Sequence, residues 1–203
     1  MNKTSQPTNY KRFTMAKIVA KTKTTLSPLP ALLVTCQDAS GKSNIITISY
    51  VGVVNATPPM IYISVRPPRF SYPMIKESGE FVINIPGDDL QKETDHCGIT
   101  SGRNVDKWEL TGLTPAPATK VKAPLIKECH VNLECVTKQI IPLGTHDMFL
   151  AEVVAVDADE EYLQPGGKVD IDKIRPFAFC YDAMEYWSLK DCIGPYGFSK
   201  GMF

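Results

Sequence analysis

The 203-residue chain lacks most of the features that would place it at a glance. It has no net charge, because 22 Lys and Arg residues balance 22 Asp and Glu residues. General nucleic-acid binding needs clustered positive charge to displace counterions, so nucleic acid is not an expected partner. No run approaches the ~20 apolar residues of a membrane span, so no membrane role is expected. The N-terminal stretch MNKTSQPTNYKRF has no apolar core of the kind a secretory signal carries, which makes the cytoplasm the expected compartment. Six cysteines stand at 36, 97, 129, 135, 180 and 192 without a C-x-x-C pair, which argues against a zinc ribbon or a thioredoxin motif. In a cytosolic chain they are expected to be reduced and mostly buried. Only three histidines are present. No metal-ligand spacing and no Ser/His/Asp or Cys/His triad can be assembled from them. GxGxxG is absent as well, so a nucleotide would not be held by a Rossmann fold.

What remains is a β-rich pattern. The length suits one domain, and residues 1–14, polar and without periodicity, read as a tail or arm ahead of a domain over 15–203. The run from Ala31 to Gln37, the turn at Asp38–Lys42 and the run from Asn44 to Val54 predict a hairpin. From Met60 to Arg66, Ile61, Ile63 and Val65 face one way and Tyr62, Ser64 and Arg66 the other. Arg69 to Gly79 predicts a short helix with Pro73 in its first turn and Gly79 as its C-terminal cap. Glu80 to Pro86 is a further strand, and Asp88 to Cys97 a helix with Asp88 as N-cap. Between Lys127 and Thr137, Cys129, Val131, Leu133 and Cys135 are expected inside, and Glu128, His130, Asn132 and Glu134 outside. Phe149–Asp157 and Phe177–Tyr181 complete six or seven strands. The expected class is mainly all-β, a barrel with one or two inserted helices.

Four segments could carry chemistry. The first is Arg66 to Pro73, where a strand ends, Arg66 and Arg69 follow, and the Ser71 hydroxyl stands at the expected N-cap of a helix. Free N–H groups at a helix start, together with an Arg fork, suit a phosphate; a capped helix with surface arginines is the alternative. The second is Asn44 to Ser49, where Thr47 and Ser49 share a face opposite Ile46, Ile48 and Tyr50. Their hydroxyls could bond the polar edge of a flat heterocycle, or simply face water. The third is the loop Ser101, Gly102, Arg103, Asn104 with Asp106, Lys107 and Trp108. It could close over an anion and a ring, or be ordinary surface with Trp108 packed inward. The fourth is His146, which could move a proton near neutral pH or be an inert loop residue. Tyr186, Trp187, Tyr196, Phe198 and Phe203 near the end suit core packing or an interface.

Taken in order, LSPLPALLVTC, NIITISYVGVVNATPPMIYISVRPPRFSYPMIKESGEFVINIP, SGRNVDKWELTGL and GTHDMFLAEV resemble the flavin reductase-like family. Within it the chain looks like the flavoredoxin-type branch, as does its ending YGFSKG. The likeness runs from about residue 24 to 203 and is most specific between Asn44 and Pro86. It implies an FMN-binding split β-barrel with a few inserted helices, a homodimer, and FMN held non-covalently near the subunit interface. Thr47, Ile48 and Ser49 would line the flavin ring. Ser64, Val65 and Arg66 would follow the flavin toward its tail, and Arg69, Phe70 and Ser71 would take the phosphate. Ser101, Arg103 and Lys107 would close the site, and His146 matches a position near a bound nicotinamide. The activity implied is oxidoreduction: electrons pass from NAD(P)H or a protein donor through FMN to flavin, ferric iron or a redox partner protein. A non-catalytic FMN-binding carrier or sensor is the alternative. Two departures stand out: Gly144-Thr145-His146-Asp147 replaces the common Gly-Asp-His, and Tyr50 stands where Trp is common.

Overall fold

In the computed structural model, residues 16–201 are described, so the expected arm over 1–14 and Phe203 lie outside the described residues. Leu32–Gln37 (β1) and Ser43–Ile48 (β2) form the expected hairpin, in register from Leu32↔Ile48 to Gln37↔Ser43. Asp38 fixes the turn: its Oδ1 accepts from Ser40 N, Ser40 Oγ and Lys42 N at 2.9, 2.7 and 3.0 Å. The chain then continues as Val51–Asn55 (β3), Met60–Val65 (β4), Glu80–Asn84 (β5), Val131–Pro142 (β6) and Asp147–Ala158 (β7).

The seven strands form one antiparallel sheet in the order β2-β1-β5-β6-β7-β4-β3. That order dictates its shape. The two edge strands, β2 and β3, are consecutive in the chain and only Ser49 and Tyr50 separate them, so the sheet must curl until its edges meet. Register shifts at Leu150/Ala151 and Val153/Ala155 bend the long β6–β7 hairpin into that curl. The run from Asn44 to Val54 is therefore two strands, broken at the bend. The result is a split barrel.

Alternation fills the inside. Val34, Ile46, Ile48, Ile61, Ile63, Phe81, Ile83 and Phe149 pack together, with Met74 and Ile75 of helix α1 (Ser71–Ser78) closing one end. Phe81 and Phe149 are wholly buried, and each such side chain contributes about 1.5–3 kcal/mol. Helix α1 stops where expected, at Gly79 with φ 68°, a conformation glycine adopts freely.

The outer face is also covered, which period-two reasoning did not foresee. Helices α2 (Gln91–Ile99) and α3 (Lys107–Thr111) bury Leu33 and Ile45. The segment from Thr119 to Ile126 covers Val82 and the supposedly outward residues Asn132 and Glu134, which are 5% and 0% exposed. Glu134 is caged by Thr119 N, Thr119 Oγ1, Lys120 N and Val121 N at 2.6–2.8 Å. His130 is not simply solvated either: its ring stacks on Tyr162 with centroids 3.6 Å apart and its Nδ1 meets Asp159 at 2.8 Å.

Two capping expectations also change. Asp88 opens a 3₁₀ turn (Asp88–Leu90) without capping it and pairs with Arg175 at 3.1 Å. Ser71 is the first residue of α1 rather than its N-cap, which is Phe70. A four-residue helix, α4 (Ile171–Ile174), leads into a final hairpin of Phe177–Cys180 (β8) and Glu185–Ser188 (β9). Tyr186 is half-buried there, but Trp187, Tyr196 and Phe198 are exposed, so these three are not core. The six cysteines are free, and Cys36, Cys97, Cys129 and Cys135 are buried. No helix among the described residues is long and apolar enough to cross a membrane.

Candidate functional site in the split of the barrel

The curl leaves the free edge of β2 facing the ends of β4 and α1. An edge strand presents unpaired backbone N–H and C=O groups, so this split is a polar seam in an otherwise apolar wall. Two adjoining cavities open along it, of about 390 and 340 Å³, within the ~300–1,000 Å³ typical of small-molecule sites. Ile46, Arg66 and Arg69 line both.

The first cavity is lined by Thr47, Ile48, Ser49, Ser64, Val65 and His146. Thr47 faces out of the barrel as expected, and its hydroxyl donates to Thr94 O of α2. Gly98 permits that approach, since a Cβ there would lie 3.3 Å from Thr47 Cβ. Tyr50 joins the same wall instead of the opposite face, because the strand ends at Ile48 and the chain turns. Its ring lies 5.2 Å from His146 and 5.7 Å from Tyr181. Thr145 Oγ1 and His146 Nδ1 are 3.0 Å apart. Asp147 does not pair with His146, because its carboxylate accepts from Tyr72 Oη. Burial lowers the His146 imidazole, and the Arg66 and Arg69 charges lower it further.

The second cavity is lined by Phe70, Ser71, Ser101, Arg103 and Lys107 together with the two shared arginines. All thirteen residues that the family resemblance assigned to the site thus line one continuous cleft. Lys107 differs from expectation in its placement: it lies beneath the cavity, 3% exposed, and its Nζ donates to Ile45 O and Cys97 O at 2.7 and 2.6 Å. Burial lowers its ammonium, and Arg69 pushes in the same direction. Trp108 points away, packed beside Leu33 and Ile45, with Nε1 donating to Ser43 Oγ at 3.0 Å.

No carboxylate lines either cavity, and Arg66, Arg69 and Arg103 make no salt bridge among the described residues. In a chain of zero net charge, three arginines and a lysine therefore converge on one pocket without a counter-charge. That donor set fits a phosphate monoester, and the hydroxyl- and aromatic-lined neighbour fits a flat heterocycle.

A family model for the flavin reductase like domain matches residues 25–184. The chain belongs to the flavin reductase-like family. Among solved structures, this family member is similar to flavoredoxin of Desulfovibrio vulgaris (Miyazaki F), with a TM-score of 0.85 and 32% identity over 92% of this chain and 100% of that one. It is also similar to flavoredoxin from Methanosarcina acetivorans, with a TM-score of 0.83 and 31% identity over 93% and 100% of the two chains. A more distant likeness is nitrilotriacetate monooxygenase component B from Bacillus cereus, at a TM-score of 0.77 and 25% identity over 84% and 88%. The split-barrel expectation is borne out by these matches and by the strand order.

Sequence reasoning gave no role to Asn44, Cys97, Thr100, Tyr181 or Met184, all of which line the cleft. Cys97 is wholly buried, and burial pushes its thiol up to about 11, so it is inert as a nucleophile at neutral pH.

Proposed function

We propose that this chain binds FMN non-covalently in the cleft and works as an FMN-dependent oxidoreductase. The convergence of Arg66, Arg69, Arg103 and Lys107 without a lining carboxylate is the observation that supports this most directly. Arg69, Ser71 and Arg103 hold the phosphate, with Phe70 and Ser101 at its sides and Lys107 adding charge from below. Thr47, Ile48, Ser49, Ser64 and Val65 surround the ring, and Arg66 spans the two ends. When bound, FMN supplies one- and two-electron redox chemistry. The protein's part is to orient the ring, to exclude water with Ile46, Ile48 and Val65, and to place Arg66 where negative charge develops. His146, neutral near pH 7, stands at the ring end, where it orients an incoming donor or acceptor through a hydrogen bond.

NAD(P)H or a reduced protein is the proposed donor, and free flavin, ferric iron or a redox partner protein the acceptor. We place the protein in the cytoplasm as a homodimer. The free thiols support the compartment. The dimer is supported by exposed apolar residues at the cleft wall, Met184, and beyond it, Trp187, Leu189 and Phe198.

The test is a visible absorption spectrum with added FMN, followed anaerobically by NADH and then dithionite. A perturbed flavin spectrum that NADH bleaches is the expected result. Bleaching by dithionite alone would replace the reductase with a carrier fed by another protein. An unperturbed spectrum would end the FMN assignment.

A further inference from the structure

Asn44 is one of the cleft residues that the sequence did not mark, yet three parts of the site meet on it. It is 4% exposed, belongs to β2 and lines the anion cavity. Its Nδ2 donates to Ser71 Oγ, at the start of α1, at 2.7 Å. On its other side lies Gly102, so close that a Cβ added there would stand 2.3 Å from Asn44 Oδ1 and 2.7 Å from Phe70 Cδ1. One side-chain amide thus joins the barrel edge, the first turn of α1 and the loop carrying Arg103.

Proton counting gives this contact a direction. A hydroxyl has one proton to donate and lone pairs to accept with. The Asn44 N–H occupies the oxygen of Ser71, which leaves the Ser71 proton to be directed elsewhere. Ser71 is 1% exposed, so bulk water does not meet that need. Cys36 lies against Ser71 and its sulfur offers that proton a weak acceptor, while its own thiol points to Asn44 O at 3.8 Å. Ser71 lines the anion cavity, where an oxyanion offers acceptors only. A hydroxyl that already accepts a hydrogen bond is also the stronger donor.

We propose that Asn44 is a positioning residue for a phosphoryl group. By donating to Ser71 Oγ it turns the Ser71 hydroxyl outward as a donor, so the cleft discriminates phosphorylated from unphosphorylated ligands. Gly102 is its companion, because any side chain there would push the amide off Ser71. The inference rests on the anion-pocket reading that underlies the FMN proposal.

The test measures affinities of the full chain for FMN and riboflavin, and thermal stabilisation by inorganic phosphate. The variants are Asn44→Leu, Ser71→Ala, the double variant and Gly102→Ala. Each single change is expected to weaken FMN by roughly tenfold or more, the scale of a hydrogen bond to a charged group, while riboflavin affinity holds. The double variant should be no weaker than Ser71→Ala, because Asn44 acts through Ser71. Parallel loss of FMN and riboflavin, additive losses in the double variant, or no loss at all would each overturn the proposal. If Asn44→Leu fails to fold, Gly102→Ala carries the same comparison. Should wild-type protein ignore FMN yet gain Asn44-dependent stability from phosphate, the FMN reading fails and the Asn44 inference stands. If phosphate and FMN are both ignored, the two fall together.

Discussion

His146 shows how much a single residue owes to its surroundings. Partial burial and the nearby Arg66 and Arg69 charges favour its neutral form, so its folded pKa lies below the ~6.5 of a free imidazole. The sign follows: its contribution to stability is present above ~6.5 and lost as pH falls through the lowered value. Proton NMR of the imidazole in the ligand-free protein should give a midpoint below ~6.5, and Arg66→Gln should move it upward. A midpoint that ignores the substitution would remove Arg66 as a cause. Residues at this scale divide by how local their signal is. Arg66, Arg69 and Ser71 were legible because a strand end, two arginines and a helix start fall within six positions. Asn44, Tyr181 and Met184 were not, because their importance depends on which distant segments the barrel brings beside them. Lys107 was legible as a member of the site but not as a buried one, since nothing in SGRNVDKW shows that its ammonium finds two carbonyls beneath the cavity.

Among the elements, β6 departs furthest from its pattern. KECHVNLECVT alternates as a half-solvated strand does, yet Asn132 and Glu134 are buried on the polar side. Alternation cannot reveal that a covering segment will satisfy those groups with backbone donors. Asn84 Oδ1 accepts from Ile126 N and from Asn132 Nδ2, at 2.9 and 2.7 Å, and continues the same polar lining. Burial alone would raise the Glu134 carboxyl, but the donors of Thr119 and Lys120 more than reverse this. Asp157 is the opposite case: burial, reinforced by the adjoining Glu134 charge, pushes it up to about 6. A raised carboxylic acid contributes stability at low pH that is lost as pH rises through about 6. Asp157→Asn should therefore be more stabilising, or less harmful, at pH 8 than at pH 4.5. Urea denaturation at the two pH values reads this directly, and a pH-independent difference would refute it.

For the molecule as a whole, the uncompensated cations are a standing electrostatic cost of the ligand-free state. Like charges gathered around one cavity repel, and no acidic side chain lines it. An anionic ligand relieves that repulsion and binds only the folded form, so melting temperature should climb with FMN concentration. At a hundredfold excess over Kd the gain is about 2.7 kcal/mol. Arg69→Ala should weaken FMN by about 1.5–3 kcal/mol and shrink the thermal shift at fixed FMN accordingly. An undiminished shift would move the phosphate away from Arg69.

The two-residue link between the edge strands has a bearing on kinetics. Ser49 and Tyr50 join the two edge strands, and Ser64 N donates to Tyr50 O at 2.8 Å, extending the β3–β4 ladder to that link. The barrel therefore cannot yawn apart like a jaw without breaking its own sheet. Gly102 is instead held to the opposite wall by packing against one asparagine amide. On the FMN reading, the residence time of the cofactor is then expected to depend on the Asn44 and Phe70 side chains packed at Gly102 rather than on the stiffness of the barrel.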